Sequence, residues 1–178
     1  DSIQAQFALG GEQDGLIGSL MISAMYGALF HQPFAVQLGQ WNLVDWPLAL
    51  QSVLAASYYD RAEDEAIKQN FDEKAEELCL EKTDVPQAWP SWSRLAYRTE
   101  SSLKTLMATE LGLDTDNLPA TLRIMVCGAQ SGQRAMELAG YLDDVEVIAV
   151  DESLANIAKA TRMANEMGMD NIVFWPWS

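Results

Sequence analysis

The sequence has few of the side chains that build metal centres and disulfides. It contains one histidine, His31, and two cysteines, Cys79 and Cys127. Two cysteines do not make a disulfide framework, and a single histidine without a Cys/His cluster argues against a zinc site. Because His31 is remote in sequence from both cysteines, no Cys-His or Ser-His-Asp nucleophile is expected. We interpret His31 as a helix-end residue that is favoured by the helix dipole.

Positive charge and long apolar runs are also scarce. The chain has 11 Lys and Arg against 26 Asp and Glu, a formal net charge of −15. Affinity for phosphate depends on clustered Lys and Arg, so we expect no nucleic-acid partner. The most apolar stretch, residues 16–30, is shorter than the ~20 residues that span a bilayer. With no basic segment and cleavage site for secretion, we expect a cytoplasmic protein without a membrane partner.

Residues 1–59 have the periodicity of a helical region. Apolar side chains recur at helical spacing over residues 16–30, after a predicted N-cap at Asp14. Residues 31–33 are expected to end this helix. A second helix is predicted to begin around residues 45–47 and to continue to Leu54.

Residues 60–118 form a second predicted region. An acidic amphipathic helix is expected from Asp60 to Cys79, and its charged face suits either solvent or a basic partner. A segment rich in Trp and Pro follows, whose tryptophans could line a pocket or pack in a core. Another helix is predicted over residues 101–111 with Gly112 as its C′ residue. The polar linker 114–119 is the strongest predicted domain boundary.

Residues 119–178 change to an alternating pattern of short elements. Apolar runs at 122–127, 145–150 and 171–174 predict buried strands, and the intervening segments 133–141 and 154–167 predict helices. Strand, helix, strand, helix, strand with short connections is typical of a parallel sheet with right-handed crossovers. The predicted fold class is therefore α/β, with an N-terminal helical region followed by a partial Rossmann-like parallel sheet.

Two features lie at the predicted carboxyl ends of these strands, where open α/β sheets bind ligands. The turn from Gly128 to Gly132 would let a ligand approach the backbone at a helix N-terminus. Asp151 ends the second strand, where a carboxylate can accept hydrogen bonds from a ribose. Alternatively the turn is a plain strand–helix connection, and Asp151 or Ser153 caps the helix that follows. The pair together favours a ligand that contains a nucleoside.

Four sequence blocks carry a resemblance to a known family: residues 123–133, 147–153, 158–168 and 171–174. They resemble the first half of class I S-adenosylmethionine-dependent methyltransferases, over about residues 120–178. The likeness is greatest to a bacterial group in which a helical, often tetratricopeptide-containing region precedes the methyltransferase domain. Residues 85–92 are similar to the aromatic-proline segment of that group.

The resemblance implies S-adenosylmethionine as cofactor and methyl transfer as the activity of the parent protein. Gly128 and Gly132 match the first and last glycines of the family's Gly-x-Gly-x-Gly loop, and Asp151 matches the residue that holds the adenosyl ribose. Glu152 is expected to flank the adenine. Two positions depart from the pattern, because Val126 stands where the family has an acidic residue and Gln130 replaces the middle glycine. The implied cofactor-binding residues are Gly128, Ala129, Gln130, Gly132, Asp151 and Glu152.

The resemblance also shows which parts of the family's fold have no counterpart in the chain. A class I fold has four further strands, including those that supply substrate and catalytic groups, so the methyl acceptor and the catalytic residues remain unknown. Ser178 falls about where the family has an acidic residue near the adenine. Since the chain begins with Asp1 rather than Met, we expect a fragment, with a protein partner or self-association covering an open sheet. The alternatives are a non-catalytic methyltransferase-like scaffold, a protein-interaction module and a nicotinamide nucleotide domain.

Overall fold

The structure is a computed structural model that describes residues 3, 13–77, 92, 94–96 and 101–177. The chain divides into two compact units, Asp1–Glu63 and Asp64–Ser178. The boundaries predicted after residues 59 and 118 stay predictions.

The first unit is helical. A cluster of buried side chains forms its core: Leu20, Leu29, Phe34, Leu38, Leu50, Leu54 and Tyr58. Its elements are α1 (Gln13–Tyr26), a 3-10 turn (Leu29–His31), α2 (Ala35–Leu38), a second 3-10 turn (Leu43–Asp45), α3 (Leu48–Leu54), a π-helical turn (Ala55–Tyr59) and the start of α4 (Asp60–Glu77).

Three details of the helical prediction are wrong. The described part of helix α1 runs from Gln13 to Tyr26, so Asp14 lies inside the helix and is not its cap, and the helix ends before the predicted end at residues 31–33. Helix α3 begins at Leu48 with Pro47 at its N-cap, so Asp45 is not the cap of this helix: it lies in the 3-10 turn Leu43–Asp45, whose N-cap is Asn42. The two helices predicted over 45–54 and 60–79 are one continuous helical run through the π turn, because no Gly or Pro interrupts residues 48–77. Cys79, at the predicted helix end, lies outside the described residues.

In the second unit, α5 (Leu103–Leu111) is close to its predicted bounds. Ser102 is the N-cap and its hydroxyl accepts a hydrogen bond from the Thr105 N–H, while Gly112 ends the helix at φ +63°. The N-terminal end of α5 is held by Asp144. This carboxylate accepts hydrogen bonds from the Ser102 hydroxyl (2.7 Å), the Leu103 N–H (2.6 Å) and the Lys104 N–H (3.1 Å).

The rest of the second unit confirms the predicted α/β fold. Strands β1 and β2 pair in parallel, as do β2 and β3, and the strand order is β1-β2-β3. Strand β3 continues two residues beyond its predicted end at 174, and α7 ends one residue before its predicted end at 167. The bounds are β1 (Leu122–Cys127), α6 (Gln133–Tyr141), β2 (Val145–Asp151), α7 (Leu154–Glu166) and β3 (Ile172–Pro176).

One face of this sheet packs against both helices. Alternate strand residues join buried side chains of α6 and α7 in one core, as the period of two in a strand requires: Val145, Val147, Ala149, Ile172 and Phe174 with Ala135, Met136, Ala139, Ile157, Ala160, Met163 and Ala164. On the opposite face, Met125 and Val173 are 62% and 56% exposed.

Helix α4 is attached to this unit by a buried arginine and an aromatic contact. The Arg162 guanidinium on α7 is 5% exposed and donates to Asp64 Oδ1 and Glu166 Oε1, both at 2.6 Å. Phe71 meets Trp175 edge to face, with ring centroids 6.3 Å apart. Across the described part of the chain, none of the helices has the length and apolar character needed to cross a membrane.

Candidate functional site

The turn between β1 and α6 holds its backbone in an unusual shape. Gly128, Gln130 and Gly132 all have positive φ, at +66°, +52° and +80°. Two backbone hydrogen bonds fix the turn: the Ala129 N–H donates to the Val150 carbonyl and the Gly132 N–H donates to the Ala129 carbonyl, both at 2.9 Å. The turn therefore lies at the carboxyl ends of β1 and β2, as the sequence predicted.

The two glycines of the turn have different surroundings. A Cβ built on Gly128 would meet no atom within 4 Å, so the backbone there borders open space that a ligand can enter. A Cβ on Gly132 would lie 2.6 Å from Ala160 Cβ and 2.9 Å from Phe174 Cε1. Gly132 must therefore be small because it packs between the helix and the sheet. At Gly128, packing would leave room for a larger side chain.

Gln130 has a backbone conformation that is unusual for a residue with a side chain. Its φ of +52° is a conformation that glycine adopts readily and other residues adopt at a cost. The backbone therefore keeps the shape of a glycine loop although a glutamine stands in it. The side chain of Gln130 is exposed.

Asp151 joins the turn to α7 and is 8% exposed. Its Oδ2 accepts a hydrogen bond from the Gln130 N–H at 2.7 Å. Its Oδ1 accepts from the Ser153 N–H at 3.0 Å and from Asn156 Nδ2 at 3.3 Å. An ionised carboxylate has about four acceptor positions, so the described residues leave one position on Oδ2 without a hydrogen bond.

The helix-cap alternative is correct for Ser153. Its hydroxyl accepts a hydrogen bond from the Asn156 N–H at 3.3 Å and makes it the N-cap of α7. Asp151 supports that cap through the Ser153 N–H and also reaches the turn, so its carboxylate serves both structures. Glu152, between them, is exposed at the rim of the site.

Trp92 contributes to the site in a way that its sequence context did not reveal. Its indole N–H donates to the carbonyl and the hydroxyl of Ser131, both at 3.0 Å. Ser131 is buried and lies inside the turn. The Trp/Pro segment was a signal for this residue, but the contact joins positions that are 39 residues apart.

The other candidate residues from the sequence analysis do not contact the turn or Asp151, or they lie outside the described residues. Val126 packs against the sheet core. Cys127 is exposed, and His31 is exposed on a 3-10 turn with its ring against Phe30. Trp89 and Ser178 lie outside the described residues. Within the described ranges, no three His, Cys, Asp or Glu side chains cluster as metal ligands would.

Taken together, these residues place open space beside Gly128 and the carboxylate of Asp151 at one edge of the sheet. The N-terminal end of α6 begins directly after the turn, where helix N–H groups and the helix dipole favour electron-rich groups. Such an edge suits a ligand with hydroxyl donors for Asp151 and a slender part that lies against the Gly128 backbone.

Comparisons with known proteins give matches among solved structures. No family model matches the chain, and no curated protein matches it. The YcgJ protein from Bacillus subtilis is 28% identical over 39% of this chain and 29% of its own, with a TM-score of 0.31. The cyclase SpnF is 20% identical over 47% of this chain and 32% of its own, with a TM-score of 0.31.

A third similar structure is coclaurine N-methyltransferase bound to N-methylheliamine and SAH. It is 12% identical over 98% of this chain and 47% of its own, with a TM-score of 0.34. The chain therefore spans less than half the length of each of these three structures.

Proposed function

We propose that residues 119–178 carry the first half of an S-adenosylmethionine site, and that the parent protein transfers a methyl group from it. The observation that carries the proposal is the 2.7 Å hydrogen bond between the Gln130 N–H and Asp151 Oδ2. It joins the two features expected of an adenosyl site, a left-handed loop after β1 and an acid at the end of β2.

The residues present fit the adenosyl group in the open space beside Gly128 and in one of the two hydrogen bonds that a ribose would make. Open space beside Gly128 leaves room for the methionine part of the cofactor. The remaining acceptor position of Asp151 suits one ribose hydroxyl, and a second hydroxyl would have to replace the Asn156 amide, which is held at 3.3 Å. Gln130 and Glu152 are exposed beside this space, whereas Ala129, also predicted to bind the cofactor, is buried in the core.

Methyl transfer requires these residues to position rather than to react. When bound, S-adenosylmethionine would supply an electrophilic methyl group on its sulfonium. The chain's own contribution is to hold the ribose and the methionine part in a fixed orientation, which lowers the entropic cost of in-line attack. The methyl acceptor and the catalytic groups remain unknown.

A non-catalytic scaffold is the second candidate, and it too has a specific observation in its favour. Three protein donors already occupy the Asp151 carboxylate, and it stabilises the turn and the start of α7 without any ligand. In that case a protein partner or a second copy would be expected on the sheet face that exposes Met125 and Val173.

A matched pair of glycine substitutions tests the cofactor proposal. Gly128 and Gly168 have φ of +66° and +64°, and a Cβ on either meets no atom within 4 Å. Gly128→Ala and Gly168→Ala should therefore have the same stability cost. Only the first places a methyl group in the proposed site, so we expect S-adenosylhomocysteine to bind Gly128→Ala at least about tenfold more weakly, or ~1.4 kcal/mol.

Binding is best followed by NMR of the backbone amides in the turn, because this detects weak association. Shifts at residues 128–132 with S-adenosylhomocysteine that Gly128→Ala weakens and Gly168→Ala leaves unchanged would support the proposal. The absence of any such shift would favour the scaffold. Tighter binding of a nicotinamide dinucleotide than of S-adenosylhomocysteine would instead support the nucleotide-domain alternative.

A further inference from the structure

The first unit contains a cavity that the proposed cofactor site does not use. Its volume is about 310 Å³, within the range of small-molecule sites. Its lining joins residues of α1 to the segment between α2 and α3: Leu16, Ile17, Trp41, Asp45, Trp46 and Pro47.

Two indole rings form part of this lining. The ring centroids of Trp41 and Trp46 lie 6.1 Å apart, and the ring planes are inclined by 54°. Trp41 is 51% exposed, so a role in core packing does not explain why a tryptophan stands at this position. Inclined aromatic rings around one space can each turn an electron-rich face toward a guest.

Hydrogen bonds from neighbouring residues hold the two tryptophans in place. Trp46 Nε1–H donates to the Tyr59 hydroxyl at 2.9 Å, and that hydroxyl donates to the Trp41 carbonyl at 2.8 Å. Gln51 Nε2 donates to the Trp46 carbonyl at 2.8 Å. Burial raises the pKa of Tyr59 above its usual 10.0, so the phenol keeps its proton at neutral pH. The cavity walls are thus arranged before any ligand arrives.

The cavity also carries a negative charge. Asp45 is the ionisable residue among the described residues that line it. The carboxylate is held by the Asn42 N–H, which donates to Asp45 Oδ2 at 2.9 Å. The Asp45 carboxylate would repel an anionic ligand, and a neutral apolar ligand would leave this carboxylate without a charged partner. The lining therefore favours a cation.

We infer that this cavity is a binding site for a small organic cation, of the alkylammonium class. The faces of Trp41 and Trp46 attract a cation that carries methyl groups, the apolar walls contact those methyl groups, and Asp45 balances the charge. The inference goes beyond the proposed function, because it concerns a different ligand and a separate set of residues in the first unit.

The test compares choline with its uncharged carbon isostere, in which a tert-butyl group replaces the trimethylammonium group. Both compounds have the same shape, so their difference in affinity isolates the charge. Following the indole N–H signals of Trp41 and Trp46 by NMR in the full chain, we expect choline to bind at least about fivefold more tightly. No S-adenosyl compound is present, so the result is independent of the cofactor proposal.

Two substitutions with matched controls locate the site. Asp45→Asn removes the charge but keeps an acceptor for the Asn42 N–H, and Trp41→Leu removes a π face but keeps apolar bulk. Each should weaken choline binding by about fivefold or more. Glu63→Gln removes an equal charge, and Trp177→Leu removes a 64% exposed tryptophan of the second unit. Neither control should change the affinity.

Three results would overturn the inference. They are equal affinity for choline and its isostere, affinity unchanged by Asp45→Asn, and no shift of either indole signal at millimolar choline. If Trp41→Leu does not fold, the isostere comparison in the unaltered chain and the Asp45→Asn variant still decide.

Discussion

Gly132→Ala should destabilise the second unit by more than its backbone conformation alone explains. The added Cβ would lie 2.6 Å from Ala160 Cβ on α7 and 2.9 and 3.0 Å from the Phe174 ring on β3. Ala160 is fully buried and Phe174 is 5% exposed. Neither side chain can move toward solvent, so α7 or the turn must shift.

The magnitude follows from two contributions. A left-handed conformation costs a residue with a Cβ roughly 1–2 kcal/mol, and φ of +80° at Gly132 incurs that cost. Overpacking a filled core adds about 1–3 kcal/mol. We therefore expect a total loss of about 2–5 kcal/mol in the free energy of unfolding. Gly168→Ala has open space around its Cβ, so it should incur the conformational cost but no cost of overpacking.

Urea denaturation of the full chain, followed by far-UV circular dichroism, measures the difference. Since the chain has two units, hydrogen exchange of the β2 amides gives the value for the second unit alone. Combining Gly132→Ala with Phe174→Leu provides a further check, because a smaller side chain should relieve part of the overpacking.

The reasoning would be refuted if Gly132→Ala and Gly168→Ala differed by less than about 0.5 kcal/mol, the usual effect of a surface substitution. It would also be refuted if Phe174→Leu and Gly132→Ala were additive, since two groups in steric conflict must show coupling.

Two further predictions concern charged side chains of the second unit. Burial raises the pKa of Asp144, but hydrogen bonds from the Leu103 N–H and the Ser102 hydroxyl outweigh this and lower it below the ordinary 3.8. Asp144→Asn should therefore lower the free energy of unfolding by about 1.5–3 kcal/mol at neutral pH. Denaturation curves should show this difference shrinking as pH falls below about 4, because the hydrogen bonds stabilise the ionised carboxylate and protonation removes their advantage. Arg162→Met should lower the free energy of unfolding by about 1–3 kcal/mol. This is less than the usual loss when one partner of a buried ion pair is removed, because Asp64 is partly exposed. Faster hydrogen exchange in α4 should accompany that loss, and unchanged exchange there would contradict the ion pair's role.

Local signals in the sequence predicted the α/β elements well. The bounds of β1 and α6 agree with prediction because an apolar run and an amphipathic helix flank the glycines of one turn. The helical unit was predicted less well. Its helices differ from expectation at Asp14, at Leu48 and at the π turn, where caps and breaks depend on packing as much as on residue type.

The candidate site shows the same division. The sequence indicated that a glycine turn and Asp151 end neighbouring strands, and the parallel pairing of β1 and β2 brings them together. Both Gln130 and Trp92 stood in segments that the sequence singled out, but nothing local predicted the hydrogen bond from the Gln130 N–H to Asp151 or that from Trp92 to Ser131. Both depend on groups that are distant in the chain.

The sequence by itself determined the order of strands and helices, the acidic charge and the residues at the carboxyl edge of the sheet, because these depend on local periodicity and composition. Only the tertiary structure decided how those residues are used. It placed Gly132 against Ala160, left Gly128 beside open space and directed Asp151 to a backbone N–H 21 residues away. Each of these outcomes is a contact between distant segments, and such contacts form only when packing of the helices and the sheet fixes their separation.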